Sequence, residues 1–365
     1  MTSSCTLVEA LLQPLKTTRY SIPEWELCIR QARASQLLAR LATTLEDEQL
    51  SQHAPPPVQA HLLAARQHQA HLSTAIRNEV TYIETAIRAA GAQVVLLKGA
   101  AYELAGLSPS RSRIYNDIDL LVAKDKLEDI EINLMLHGWS STSQDAYDER
   151  YYRQWMHEIP PMRHIERHSL IDVHHNLVPE TSAIRVDPAK LLKETRSCPN
   201  NPEIHVLAPN DMILHSAVHL FNDGEFDHAL RDLFDIRDLV RETVRSSDDW
   251  KRLITRAEEL GLQRPLYYAV RYLNLVLHEE VAEHLDSLRT HAPSATKLAL
   301  LDRMFIRGLQ PQHATCDDFA TGIARFSLYI RGHALRMPLR LLLPHLAKKS
   351  RKRLLNNLIG TRDAG

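Results

Sequence analysis

The sequence has 365 residues, 44% of them hydrophobic and 24% charged, enough chain for two or three domains, each with its own core. Basic and acidic residues nearly balance, 44 against 45 for a formal net charge of -1, so no whole-molecule field draws the protein to nucleic acid or membrane. Four cysteines (Cys5, Cys28, Cys198, Cys316) are scattered without a CxxC pair, which gives neither a zinc knuckle nor a disulfide framework and fits a reducing compartment.

The N-terminus, MTSSCTLVEALLQPLK, lacks a basic segment followed by a long apolar one. No stretch elsewhere approaches the roughly 18 apolar residues of a spanning helix, so the expectation is a cytosolic protein. The first 90 residues read as helical. After the break HAPPPV, apolar residues Val58, Leu62, Ala65, Leu72, Ile76, Val80, Ile83 and Ile87 recur at three- and four-residue spacing, which predicts one long amphipathic helix. Pro57 suits its first turn and Gly91 its end.

The period then changes. Gln93 to Leu97 (QVVLL) and Asp117 to Val122 (DIDLLV) are β-branched, apolar bursts of strand length. Between them Gly99 to Gly106 predicts a short helix and LSPSRSR a loop. Lys124 to His137 reads as a helix capped by Gly138. Two more strands, around Met162 to Ile165 and Ser169 to Asn176, flank the turn Glu166-Arg167-His168. From about Pro209 onward only helical signals remain, in APNDMILHSAVHLF, HALRDLFDIRDLVRETV, DDWKRLITRAEELG and PLYYAVRYLNLVLHEE. The expected fold class is α+β: a helical region over 1–90, a small mixed sheet carrying helices over 91–208, a helical domain over 209–330 and a basic amphipathic tail over 331–365.

Chemistry concentrates in the α/β part. The strand QVVLL runs straight into Lys98-Gly99-Ala100. A glycine turn that opens a helix lets the backbone approach an anion, and the helix N-terminus offers unpaired N–H groups and a positive dipole end. Lys98 adds a compact cation suited to phosphate. Asp117 and Asp119 are two apart, so on a strand both carboxylates share one face. Two like charges held so close call for water or a cation, and two hard oxygen ligands suit magnesium or manganese. Asp172, the lone acid of SLIDVHHNL, is placed to lie beside that pair in the same sheet. Three carboxylates can hold two metal ions about 4 Å apart for an in-line phosphoryl transfer.

On these residues the sequence resembles the polymerase β-type nucleotidyltransferase superfamily, with its turn after a strand, acid-apolar-acid pair and third acid on a later strand. More narrowly it is similar to the bacterial group labelled uncharacterised nucleotidyltransferases, through LLKGAAYELA, Arg113 ahead of DIDLLV, and LIDVHHNL. The resemblance runs most strongly from about Gln93 to Leu177. It implies a palm-like core in which Asp117 and Asp119 bind both metals. Asp172 would bind the catalytic metal and help deprotonate an acceptor hydroxyl, while Lys98, Gly99 and Arg113 hold a nucleoside triphosphate. The turn continues with Ala100, where most of the superfamily has Gly or Ser, so a hydroxyl contact to phosphate is missing and Ala100 has only its backbone to offer.

Several residues carry two readings. Arg113 either holds triphosphate or pairs with Asp117 or Asp119. His174, two after Asp172, either supports the metal ligands or packs. His215 and His219 have the i, i+4 spacing of a zinc pair, but HSAVH lacks the Glu of HExxH and ordinary helix packing is the expectation. Asp232 and Asp235 are expected to pair with Arg231 or Arg237, and Tyr102 to be a core aromatic rather than a base stack.

The basic tail has nine Lys or Arg and no acid from Arg331 to Arg362, including Arg340, Lys348, Lys349, Arg351, Lys352 and Arg353. It suits an anionic membrane surface, an RNA acceptor or a solvated last helix. The expected activity is transfer of a nucleoside monophosphate from a triphosphate to an acceptor hydroxyl or phosphate, with release of pyrophosphate. That acceptor is tRNA, a protein, or a small molecule or glycan precursor. The alternative is a nucleotide-binding or scaffold protein that keeps the fold without catalysing.

Overall fold

The computed structural model describes residues 5–143 and 146–337; the basic tail beyond Met337 lies outside that range. The chain opens with helices α1 (Thr6–Leu12), α2 (Ile22–Ala34), α3 (Leu38–Asp47) and the long α4 (Pro56–Ala89). Ser21 and Glu24 form a reciprocal cap at the start of α2, which satisfies backbone donors that the first turn leaves open. Along α4, Val58, Leu62, Ile76, Val80, Ile83 and Ile87 are buried. Each such burial contributes about 1.5–3 kcal/mol, and the apolar spacing predicted from sequence becomes the face that packs on α3, α5 and α6.

The central part follows as β1 (Val94–Leu96), α5 (Lys98–Ala105), β2 (Ile118–Leu121), α6 (Leu127–Leu136), β3 (Trp139–Ser141), α7 (Ala146–Trp155), β4 (Met162–His164), β5 (Leu170–His174), α8 (Pro188–Lys193), β6 (Arg196–Cys198) and β7 (Asn201–Val206). These strands form one seven-stranded mixed sheet in the order β3-β4-β5-β2-β1-β7-β6. β1 lies antiparallel to β2 and parallel to β7. β2 lies parallel to β5, with Ile118, Asp119, Leu120 and Leu121 level with Ile171, Asp172, Val173 and His174. Both central strands are buried along their whole length, which is why their sequences read as apolar runs rather than alternations.

The sheet is wider than the four predicted strands. β3 and β6 have three residues each, too short for a periodic signal. β7 buries Ile204 and Val206 while Glu203 stays exposed, a faint alternation interrupted by Pro202. Its place beside β1 is set by a parallel pairing 110 residues away in sequence.

The remaining helices are α9 (Pro209–Asn222), α10 (Ala229–Thr243), α11 (Ser247–Leu260), α12 (Gln263–Leu277), α13 (Ala295–Gly308) and α14 (Phe319–Arg336). α9 is enclosed by α10, α11, α12 and α14, and nearly every one of its side chains is buried. After α9 the chain crosses α14 at a glycine pair. A Cβ on Gly224, which sits at φ +81, would meet Gly332 Cα at 2.9 Å, and one on Gly332 would meet Gly224 Cα at 2.4 Å. Only residues without side chains allow that approach, and it fixes the backbone next to Asp223. One contiguous apolar core runs from Leu7 to Leu328 through all these layers. No helix among the described residues is long and apolar enough to cross a membrane.

Candidate functional site

β1 delivers the chain to the site and β2 and β5 present the acids. Leu97 N donates to the Asp119 carbonyl at 2.9 Å, so the turn after β1 is fastened to the backbone of the second acid. Lys98 takes φ +44, a conformation that costs a residue with a side chain about 1 kcal/mol, and α5 begins there. The turn brings Lys98 Nζ within 3.0 Å of Asp119 Oδ1.

Asp117 precedes β2 and Asp119 lies within it, on the same face by the two-residue period. The parallel register sets Asp172 directly beside Asp119. His174 shares that face and its Nε2 lies 3.1 Å from Asp119 Oδ1. Lys98, Asp117, Asp119, Asp172 and His174 therefore converge at one point of the sheet surface.

The three carboxylates differ in protonation. Burial would push Asp119 up, but Lys98 and His174 outweigh it and hold the carboxyl well below its ordinary value. Burial and the neighbouring Asp119 charge raise Asp117, outweighing the pull of Lys98, Arg113 and His219. Asp172 is pushed up to about 7 by burial and by the Asp119 and Glu158 charges, and its Oδ1 is buried without a hydrogen-bond partner among the described residues. Burial would lower Lys98, yet Asp119, Asp117 and Asp223 keep the ammonium above its usual value. A carboxylate cluster in this state has more oxygen ligands than cations to serve them, and an orphaned buried oxygen is what a divalent ion satisfies. The donor set, three carboxylates with hard oxygens, fits magnesium or manganese.

Arg113 does not make the expected pairing with Asp117 or Asp119. It turns toward α10 and pairs with Asp235 and, at 3.5 Å, with Asp232, while its guanidinium lies over the Tyr102 ring at 5.7 Å. The pairing with Asp117 or Asp119 fails because α10 supplies two buried carboxylates at closer reach. Asp232 keeps its expected partner Arg231, at 2.8 Å. Asp235 does not pair with Arg237, which turns to Asp238, but with Arg40 at 3.2 Å and with Arg113. Burial would raise Asp232, yet Arg231 and Arg113 hold it well below the ordinary carboxylate range.

Gly99 explains how Arg113 fits. A Cβ there would meet Arg113 Nε at 2.9 Å and Tyr115 Cδ1 at 3.0 Å, so the missing side chain is the space the guanidinium occupies. Ala100 is buried within α5 and presents no side-chain polar group. Tyr102 is a core residue whose hydroxyl shares a 2.7 Å hydrogen bond with Ser216. His215 is buried and driven well below its ordinary value by that burial and by Lys98. His219 is half-buried, 3.6 Å from Asp223 and 3.9 Å from Asp232.

Sequence reasoning missed three residues. Glu158 and His157 lie in the irregular stretch between α7 and β4, and Asp223 follows α9. Glu158 Oε2 is 3.2 Å from His174 Nδ1, and its carboxyl is raised by burial, against the pull of His174. No periodicity marks such positions; only the fold carries His157 and Glu158 to the end of β5 and Asp223 toward Lys98.

A mixed sheet with helical flanks, whose adjacent parallel strands hold acids beside a strand-to-helix turn, is an α+β core of the nucleotidyltransferase type. Residues 22–278 match the family described as uncharacterised nucleotidyltransferases, and the chain belongs to that family. No curated protein and no solved structure matches it. Family membership supports a transferase at that coarse level.

Proposed function

We propose that the protein transfers a nucleoside monophosphate from a nucleoside triphosphate to an acceptor hydroxyl or phosphate, with two magnesium or manganese ions and release of pyrophosphate. The observation that carries this reading is the β2–β5 register, which sets Asp172 beside Asp119 with Asp117 on the same face. Asp117 and Asp119 would hold both ions, and Asp172 would complete the catalytic one. Bound there, the ions would neutralise charge on the transferring phosphoryl group and its leaving oxygen.

The chain's own groups do the rest. Lys98, already charged, faces the triphosphate, and the N–H groups at the start of α5 meet its oxygens. Gly99 leaves room at the turn for the Arg113 guanidinium. Arg113 stays bound to Asp232 and Asp235 and holds the turn in place from the helical side. Asp172, whose unpartnered Oδ1 would meet the catalytic ion, would accept the proton of the attacking hydroxyl on its other oxygen. An acceptor that is RNA would add salt-sensitive contacts through the basic residues after Arg331, whereas a membrane-side acceptor would bring those residues onto anionic lipid.

Calorimetric titration of non-hydrolysable analogues of the four ribonucleoside triphosphates, with and without magnesium, tests the reading. Wild-type protein should bind at least one of them only with magnesium, and Asp117→Asn should lose that binding. Equal binding by the variant, or none by either, refutes it. Magnesium-dependent binding with no pyrophosphate release from any acceptor would support the non-catalytic alternative instead.

A further inference from the structure

A second group of metal-ligating side chains closes around the end of β5, outside the three-aspartate set. His157, Glu158 and His174 each place one ligand atom within 4.8 Å of the other two. Their positions are fixed by backbone. Glu158 makes an isolated antiparallel bridge with His174, and His175 N donates to the His157 carbonyl at 2.8 Å. The two imidazole rings lie 5.2 Å apart. His174 uses both nitrogens, Nδ1 at 3.2 Å from Glu158 Oε2 and Nε2 at 3.1 Å from Asp119 Oδ1.

His157 gives an independent pointer. It is 9% exposed, and its Nδ1 is buried with no hydrogen-bond partner among the described residues. A buried imidazole nitrogen left unbonded is costly unless something occupies it.

We propose that His157, Glu158 and His174 bind one transition-metal ion of the zinc class. Two imidazoles and one carboxylate suit zinc or cobalt, whereas magnesium prefers an all-oxygen set. Bonds of about 2.0–2.1 Å require tetrahedral ligand atoms to stand about 3.3 Å apart. His174 Nδ1 and Glu158 Oε2 already do, and the wider pairs close by at most about 1.5 Å. Water takes the fourth position. The ion displaces any proton on His174 Nδ1, which leaves to solvent, while the hydrogen on Nε2 stays in its hydrogen bond to Asp119. Such a carboxylate-imidazole-metal chain fixes the ring and links the ion to Asp119. The site uses neither Asp117 nor Asp172, so it stands whether or not the protein transfers nucleotides.

The test is a zinc titration by competition with a chromophoric chelator, run on the full chain in a large excess of magnesium that fills all-oxygen sites. Wild-type protein should bind one zinc per chain, with proton release that increases with zinc added. Cobalt should give the absorption bands of a tetrahedral site. His157→Ala and the near-isosteric Glu158→Gln should each weaken zinc binding about 100-fold or more, with cooperative thermal unfolding checked for both. Asp117→Asn should keep its zinc affinity within about threefold. No zinc uptake by the wild type overturns the proposal. So does undiminished affinity in Glu158→Gln, or loss in Asp117→Asn with His157→Ala unaffected, since that would put the zinc on the aspartate pair.

Discussion

Replacing Asp172 with asparagine should stabilise the metal-free protein, and only above about pH 4. In the fold this carboxyl is raised from an ordinary value of 3.8 to about 7. Holding the ionised form at neutral pH therefore costs about 4 kcal/mol as an upper bound. Asp119 and Glu158 share the interaction, so about 2–4 kcal/mol is the expected range. The sign follows from linkage. Below about pH 4 the group is protonated in both folded and unfolded chains and contributes no penalty. Between about 4 and 7 the unfolded chain gives up the proton while the folded chain keeps it, so stability falls as pH rises, and above 7 the full penalty is present. Asparagine has nearly the same shape and never ionises.

Urea unfolding of both proteins in chelator, from pH 4 to 8, reads the difference directly. The advantage of the variant should grow by about 2–4 kcal/mol across that range and then level off. Magnesium should act oppositely, adding about 2.7 kcal/mol to the wild type at one hundred times its dissociation constant and less to the variant. A stability difference that stays flat with pH would refute the account of Asp172 as a charge held against its neighbours.

Gly99→Ala should cost about 1–3 kcal/mol, since the new Cβ would press on Arg113 Nε at 2.9 Å. Arg113 is held by Asp235, and Tyr115 by a 2.7 Å bond from its hydroxyl to Glu103. Unchanged denaturation midpoints would mean that Arg113 swings away freely. Arg113→Ala should destabilise by about 3–5 kcal/mol near neutral pH, the cost of leaving buried carboxylates short of a partner. Because Asp232 is held below its ordinary value, that loss should shrink as pH falls below about 4, and guanidinium unfolding at pH 3 and 7 should read the contrast. A loss equal at both pH values would assign Arg113 a packing role alone.

The long α4 helix, the two central strands and the helices after Pro209 were legible because their information is local. A three- and four-residue apolar stripe in Val58 to Ile87, or the unbroken apolar run after Asp119, expresses its own burial without reference to distant chain. The shared face of Asp117 and Asp119 is equally local, a consequence of the two-residue period of a strand. Strand register is not. That Asp172 stands beside Asp119 depends on the parallel pairing of β2 with β5, which the intervening hairpin and helices decide. The partner of Arg113 was decided the same way. Its carboxylates sit on α10, more than a hundred residues downstream, and the sequence offered nearer acids at 117 and 119. His157 and Glu158 carry no pattern at all, because an irregular segment has no period. What sets their chemistry is the β5 strand end they are folded against, and electrostatics at that range depends on distances in space rather than along the chain.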